Sequence, residues 1–214
     1  VMVCDAAEAL GSSHEGQALG SYGDAGCFSF SANKTVTCGQ GGMITTNNTS
    51  LFERLLELKD QGRRVQGSGG NDLHPVIGYN FKLTNLQASI GLVQLDRLDV
   101  RLDQARARDA QFFQLLDGQN GIDISRMADT RESVLQWSDA LFDDRESIEI
   151  TLSSENIGCR PFWFPLHTQV PYQADANLFP VATEISAKGL WLPSHFDMTS
   201  DDIERTTEVI CTAL

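Results

Sequence analysis

The chain has 214 residues and a formal net charge of −13, enough length for one large or two small domains. So acidic a protein is a poor partner for nucleic acid or an anionic membrane, since both are held by a basic face. No apolar run approaches bilayer-spanning length, no cysteine or histidine spacing indicates a metal site, and the five cysteines fall mostly in apolar runs, as reduced thiols of a cytoplasmic protein do.

Val1–Cys4 reads as a short buried strand with Asp5 at its C-terminal end. In open α/β sheets ligands bind beyond that end of the strands. The apolar run enters without a cap, so an N-terminal part of a larger protein is expected to precede it. Ala6–Leu10 suits a short helix that runs into a Gly-Ser loop. Ala25–Phe30 is expected as a second strand, with Phe28 and Phe30 on one face and Ser29 on the other. Thr35–Thr37 and Met43–Thr45 flank a glycine turn and are expected to pair as a hairpin.

Ser50-Leu51-Phe52-Glu53 has the form of a capping box and opens a helix to Asp60. Residues 61–74 are a Gly-rich loop; its Gly67-Ser68-Gly69-Gly70 run follows a helix rather than a strand, so it does not read as a phosphate loop. Thr84-Asn85-Leu86-Gln87 is a second capping box. It opens one long helix over about 84–117, with Leu86, Ile90, Val93, Leu95, Leu98 and Leu102 on its apolar face. Strands are expected at 134–142 and 159–164, with a helix over 144–157 stopped at Gly158. Thr199-Ser200-Asp201-Asp202 caps a terminal helix. The pattern implies two domains, 1–100 and 101–214, joined by the long helix.

Lys34 carries the chemistry. It sits in Phe28-Ser29-Phe30-Ser31-Ala32-Asn33-Lys34-Thr35, ahead of Gly39-Gln40-Gly41-Gly42, with Asp5-Ala6-Ala7-Glu8 upstream. A lone lysine is usually a solvated loop residue. In this company it reads as the heart of a pyridoxal-phosphate (PLP) site. A lysine amine can hold the PLP aldehyde as a Schiff base, and an aspartate can keep the pyridine nitrogen protonated, so that the ring accepts electrons from an amino-acid Cα.

Asp5–Gly11, Gly23-Asp24, Phe28-Ser29-Phe30, Asn33-Lys34, Gly39–Met43 and Gly78–Asn85 together resemble the DegT/DnrJ/EryC1/StrS nucleotide-sugar aminotransferases, along the whole chain. The resemblance implies an α/β, fold-type-I (aspartate aminotransferase-like) architecture. Residues 1–100 would be the C-terminal part of a large, mostly parallel-sheet domain, and 101–214 a small α+β domain. It implies a homodimer with shared active sites. It assigns Lys34 to the Schiff base and proton shuttle, Asp5 to the pyridine nitrogen, Ser29 to the cofactor phosphate, Glu8 to a place beside the ring, and Asn80 to the phosphate of the partner subunit's cofactor. His74, Arg160 and His167 are substrate candidates, the last two for a diphosphate; a structural role is as good a reading for each. Family members carry further N-terminal residues with a phosphate-binding turn and a ring-stacking aromatic.

The implied reaction takes an amino group from glutamate to the 4-keto group of a nucleotide-linked 6-deoxysugar. The segments His74–Asn80 and Arg160–Thr168 point to a GDP-linked sugar. Gln40, Lys82-Leu83 and Asn71-Asp72-Leu73 depart from the family pattern, the last in a stretch that would touch the sugar nucleotide. Another keto sugar nucleotide, a cyclitol, or a shortened relative without turnover are the competing readings.

Overall fold

The computed structural model describes residues 1–64, 73–124 and 132–214; the Gly67–Gly70 run lies outside them. Nine strands and six helices are described. The strands are β1 (Val3–Asp5), β2 (Ser13–His14), β3 (Gln17–Ala18), β4 (Ala25–Ser29), β5 (Gly42–Thr45), β6 (Ile122–Asp123), β7 (Asp139–Phe142), β8 (Arg160–Pro161) and β9 (Gly189–Trp191). The helices are α1 (Thr49–Lys59), α2 (Asn85–Leu95), α3 (Leu98–Leu116), α4 (Arg145–Ser154), α5 (Pro180–Lys188) and α6 (Ser200–Ala213). The chain divides into two compact units. The first is Val1–Val100 with Glu132–Val134, and the second holds the rest of the chain from Arg101. No helix among the described residues is long and apolar enough to cross a membrane.

In the first unit a three-stranded sheet runs in the order β1-β4-β5. β1 and β4 are parallel, with Asp5 opposite Cys27. The strands therefore end on the same edge, and Ala6 N–H reaches Cys27 O at 2.9 Å just beyond it. The expected hairpin between 35–37 and 43–45 is not formed. β5 pairs antiparallel with β4, Phe28 opposite Met43, because the segment after β4 makes a broad loop and the chain returns along the strand it left. β1 is an edge strand whose Val3 is 60 % exposed, so the expectation of a buried strand also fails among the described residues. Gly26 cannot be replaced without moving the backbone: a Cβ there would lie 1.8 Å from Gly20 O, so residues 18–23 lie directly against β4.

The expected Ala6–Leu10 helix is replaced by two successive turns, Ala9 N–H to Ala6 O and Ser12 N–H to Ala9 O. The Asp5 carboxylate accepts from Ala7 N–H at 3.0 Å, and this local bond diverts the backbone from a helix. β2 and β3 form a small hairpin around Glu15-Gly16, both with positive φ. The two turn N–H groups donate to the Glu132 carboxylate at 3.2 and 3.0 Å, which ties the 132–134 segment to this unit.

The cap of α1, Asn48, lies two residues before the expected Ser50. Asn48 is extended and its side chain accepts from Leu51 N–H, while Ser50 already lies within the first turn; asparagine and serine are comparable caps, and the first to leave helical backbone wins. The second capping box forms as expected, Thr84 and Gln87 satisfying each other's backbone N–H. The long helix does not. Arg97 N–H bonds to Gln94 O, three residues back, and this tight turn at Asp96-Arg97 separates α2 from α3. α2 buries none of its residues among those described.

In the second unit an antiparallel sheet runs β6-β7-β9-β8. Phe112 and Leu116 of α3, Ile148 and Leu152 of α4, Ile203 and Ile210 of α6, and Ala140, Phe142 and Leu190 of the sheet form one buried cluster. The central strand β9 begins at Gly189, where a Cβ would sit 2.2 Å from the Phe162 ring. The expected strands at 134–142 and 159–164 shorten to β7 and β8, the pairing of β8 with β9 ending just after it with Phe162 N–H on Gly189 O at 3.1 Å. α4 ends at Ser154 rather than at Gly158, with Asn156 taking the positive φ that closes it. The Thr199 cap of α6 forms as expected, reciprocated by Asp202.

Candidate active site

The site is built at the shared C-terminal edge of β1 and β4. β1 delivers Asp5, β4 delivers Ser29, and the turns after β1 deliver Glu8. Residues 31–41, between β4 and β5, carry Lys34. Phe30 closes the neck of that loop: its N–H donates to Gly41 O at 2.9 Å and its carbonyl accepts from Cys38 N–H at 3.1 Å. Phe30, Val36 and Cys38 are buried together, so the loop is pinned from below by apolar contact. Gln87 of α2 donates to Gln40 O at 2.9 Å and fixes the glycine turn from the side.

Lys34 Nζ donates to Glu8 Oε1 at 2.8 Å. The lysine side chain is only 11 % exposed, while Glu8 is 51 % exposed. A largely covered ammonium therefore faces a carboxylate that reaches solvent. Ser29 Oγ lies 3.0 Å from Ser31 Oγ, and Ser31 Oγ donates to Asn33 Oδ1 at 3.3 Å. Ser31 and Asn33 were not picked out from the sequence. The signal was present: Ser29, Ser31 and Asn33 alternate by two, and the polar chain leads from the strand end to the residue before Lys34.

The remaining sequence candidates lie on other elements. Asn80 is exposed and bridges to Asp60 in an antiparallel contact, flanked by the stacked rings of Tyr79 and Phe81 at 4.9 Å. Lys82 Nζ lies 2.6 Å from the buried Asp60 carboxylate. That hydrogen bond, foremost, holds the Asp60 carboxyl below its ordinary value against the opposing effect of burial. His74 Nδ1 donates to Gln61 O at 2.7 Å. In the second unit Arg160 stacks over the Trp163 ring at 4.0 Å and lies 5.5 Å from that of Trp191. His167 is buried, stacked on Phe179 at 4.9 Å, with Nε2 3.2 Å from Thr183 Oγ1. A shallow cavity of about 260 Å³ lies over the 18–28 and 45–47 segments; Asp5, Glu8, Ser29 and Lys34 are not among its lining residues.

Residues 1–211 match the family model of the DegT/DnrJ/EryC1/StrS aminotransferases. Among curated proteins, the chain is 34 % identical over 213 residues to a GDP-perosamine synthase of Caulobacter vibrioides, covering 96 % of this chain and 56 % of that one. It is 32 % identical over 205 residues to a GDP-perosamine synthase of Escherichia coli O157:H7, covering 93 % and 54 %. Among solved structures, it superposes on a sugar aminotransferase of Streptococcus pneumoniae, Spr1654 in its PLP form, with a TM-score of 0.89 and 26 % identity, over 100 % of this chain and 57 % of that one. The chain spans about half the length of the curated relatives it matches. The fold is accordingly α/β, of the fold-type-I transferase class, and the chain belongs to the DegT/DnrJ/EryC1/StrS aminotransferase family.

Proposed function

We propose that the protein is a PLP-dependent sugar-nucleotide aminotransferase. It converts glutamate and a nucleotide-linked 4-keto-6-deoxysugar into 2-oxoglutarate and the 4-amino sugar, with GDP-4-keto-6-deoxymannose to GDP-perosamine as the favoured case. The observation that carries the reading is the grouping of Asp5, Glu8, Ser29 and Lys34 at one sheet edge, with the lysine covered and its loop pinned. The names of the two GDP-perosamine synthases support the sugar.

The residues suit the cofactor. Asp5 keeps one carboxylate oxygen on Ala7 N–H and has acceptor capacity left for a ring N–H. Ser29 offers a hydroxyl already within a polar chain. Lys34 is the covalent attachment point. Asn80, exposed, is proposed to reach the phosphate in the partner subunit of a homodimer. When bound, PLP supplies an electron sink that makes the amino-acid Cα–H acidic enough to remove. Asp5 holds a proton at the pyridine nitrogen and so keeps that sink strong. Lys34 Nζ, once released, takes the Cα proton and returns it on the other side of the exchange. The pinned 31–41 loop limits how far that nitrogen can move, which favours a short proton path.

The homodimer is supported by the apolar surface left open on the first unit: Ile77 is 86 % exposed, Leu86 74 % and Phe81 72 %. A cytoplasmic setting is supported by five free thiols. The test is a panel of keto sugar nucleotides offered to the intact protein with glutamate and PLP, read by product mass. A product one amino group richer at C4 of the GDP-linked sugar is expected. Transfer only to a sugar on another nucleotide would overturn the GDP assignment, and no transfer from glutamate to any of them would overturn the reading.

A further inference from the structure

Nothing in the implied chemistry says where the proton of Lys34 goes. At neutral pH a lysine nitrogen carries three protons and no free electron pair, so it cannot attack a carbonyl carbon until one proton has left. In this chain the ammonium donates to the Glu8 carboxylate at 2.8 Å. The lysine side chain is 11 % exposed and Glu8 is 51 % exposed, so direct exchange of the proton with bulk water favours the Glu8 side.

We propose that Glu8 is the proton acceptor and counter-ion of Lys34. While the lysine is free, the carboxylate pairs with the ammonium and keeps it docked. When Lys34 becomes a nucleophile, one N–H bond breaks and one O–H bond forms on Glu8. The electron pair of the broken bond stays on nitrogen, and the neutral carboxyl then exchanges its proton with solvent. The role differs from contact with a cofactor ring, which the family resemblance implied for Glu8. It rests on the reading of Lys34 as the attachment point, but its test does not require the cofactor.

The test is competitive acetylation of lysines in the cofactor-free protein with limiting acetic anhydride, read by mass spectrometry of the Lys34 peptide against Lys59 and Lys188. Only the neutral amine reacts. Removing a partly exposed ion pair is worth a fold-change of roughly two to five. Glu8→Gln therefore speeds labelling of Lys34 by that factor near pH 8. Glu8→Asp, which keeps the carboxylate, stays closer to wild type than Glu8→Gln. An unchanged ratio near pH 8 would overturn the proposal. So would equal speeding in Glu8→Asp and Glu8→Gln, because that pattern means the loop has merely opened. Should acetylation follow the expected pattern while the cofactor attaches to another lysine, the proton pairing stands and the attachment reading fails.

Discussion

Among the described residues of the second unit, eleven buried apolar side chains form one cluster fed by three helices and a sheet. In the first unit the buried cluster has three members, Phe30, Val36 and Cys38, and it sits under the loop that carries Lys34. The polar interior differs as well. The second unit buries Arg108, which donates to Ser138 Oγ at 2.9 Å, Ser194 O at 2.6 Å and Leu135 O at 3.1 Å and pairs with Asp109 at 3.1 Å. The first unit buries Asp60 against Lys82 but holds the Lys34–Glu8 pair at the rim, with Glu8 reaching solvent. The Arg108 network locks packing; the Lys34–Glu8 pair stands where a proton can come and go. A reactive lysine needs a fixed position and a changeable protonation state, and a small anchor beneath a polar rim supplies both.

That contrast is broken most completely by Lys34→Ala. It should abolish glutamate-dependent transfer while lowering stability, read from the denaturation midpoint, by no more than a partly exposed ion pair is worth, about 1 kcal/mol or less. A large fall in the midpoint would place Lys34 among the structural residues. The reverse case is Arg108→Met. It leaves Asp109 buried without its partner, and breaking such a pair costs about 3–5 kcal/mol. Urea unfolding of the second unit should shift accordingly, with Lys34 acetylation near wild type. If the shift is under about 1 kcal/mol, the buried network is not what locks this unit.

Asp5→Asn comes next. The amide oxygen can still accept from Ala7 N–H, so the fold should hold, but the negative charge that keeps a ring proton is gone. A lost charge-assisted hydrogen bond of about 1.5–3 kcal/mol corresponds to a fall in turnover of roughly 10- to 150-fold. Activity within threefold of wild type would count against Asp5 as the ring partner.

The smallest effect is in pH dependence, and its sign differs from one carboxyl group to another. Burial, foremost, raises the carboxyls of Asp109 and Asp139 above the ordinary 3.8, and in Asp139 the charge of Asp109 adds to it. At these two positions the folded chain binds protons more tightly than the unfolded chain, so this contribution is full below 3.8 and is lost as pH rises through the raised values. Asp60 in the first unit is lowered, so its contribution is present above 3.8 and is lost as pH falls through the lowered value. Asp139→Asn should flatten the upper limb of a stability–pH profile and leave the acid limb unchanged; an unaltered upper limb would remove Asp139 from the account.

Much of the site was legible in the sequence because its signals are local. Asp5 closes an apolar strand, Ser29 alternates with two phenylalanines, and Lys34 precedes a glycine run; each could be read within a few residues. The Thr84 and Thr199 caps were legible for the same reason. What escaped depended on distant partners or on missing punctuation. β5 pairs with β4 rather than with 35–37, a choice set by the path of the loop and not by the composition of either strand. The break at Asp96-Arg97 contains neither Gly nor Pro, so the apolar periodicity runs through it unmarked. β9 is three residues long and follows α5 without a turn residue besides Gly189, and both elements were missed. The Lys34–Glu8 pair is 26 positions apart in sequence, and the local Asp5 turn that aims Glu8 was read as a helix.

The most direct test of the central claim is reductive trapping. The intact protein is incubated with PLP, reduced with borohydride, digested and mapped by mass. The account predicts one stable adduct, on the peptide that contains Lys34, formed at one per chain. An adduct on any other lysine, with Lys34 unmodified, would contradict it.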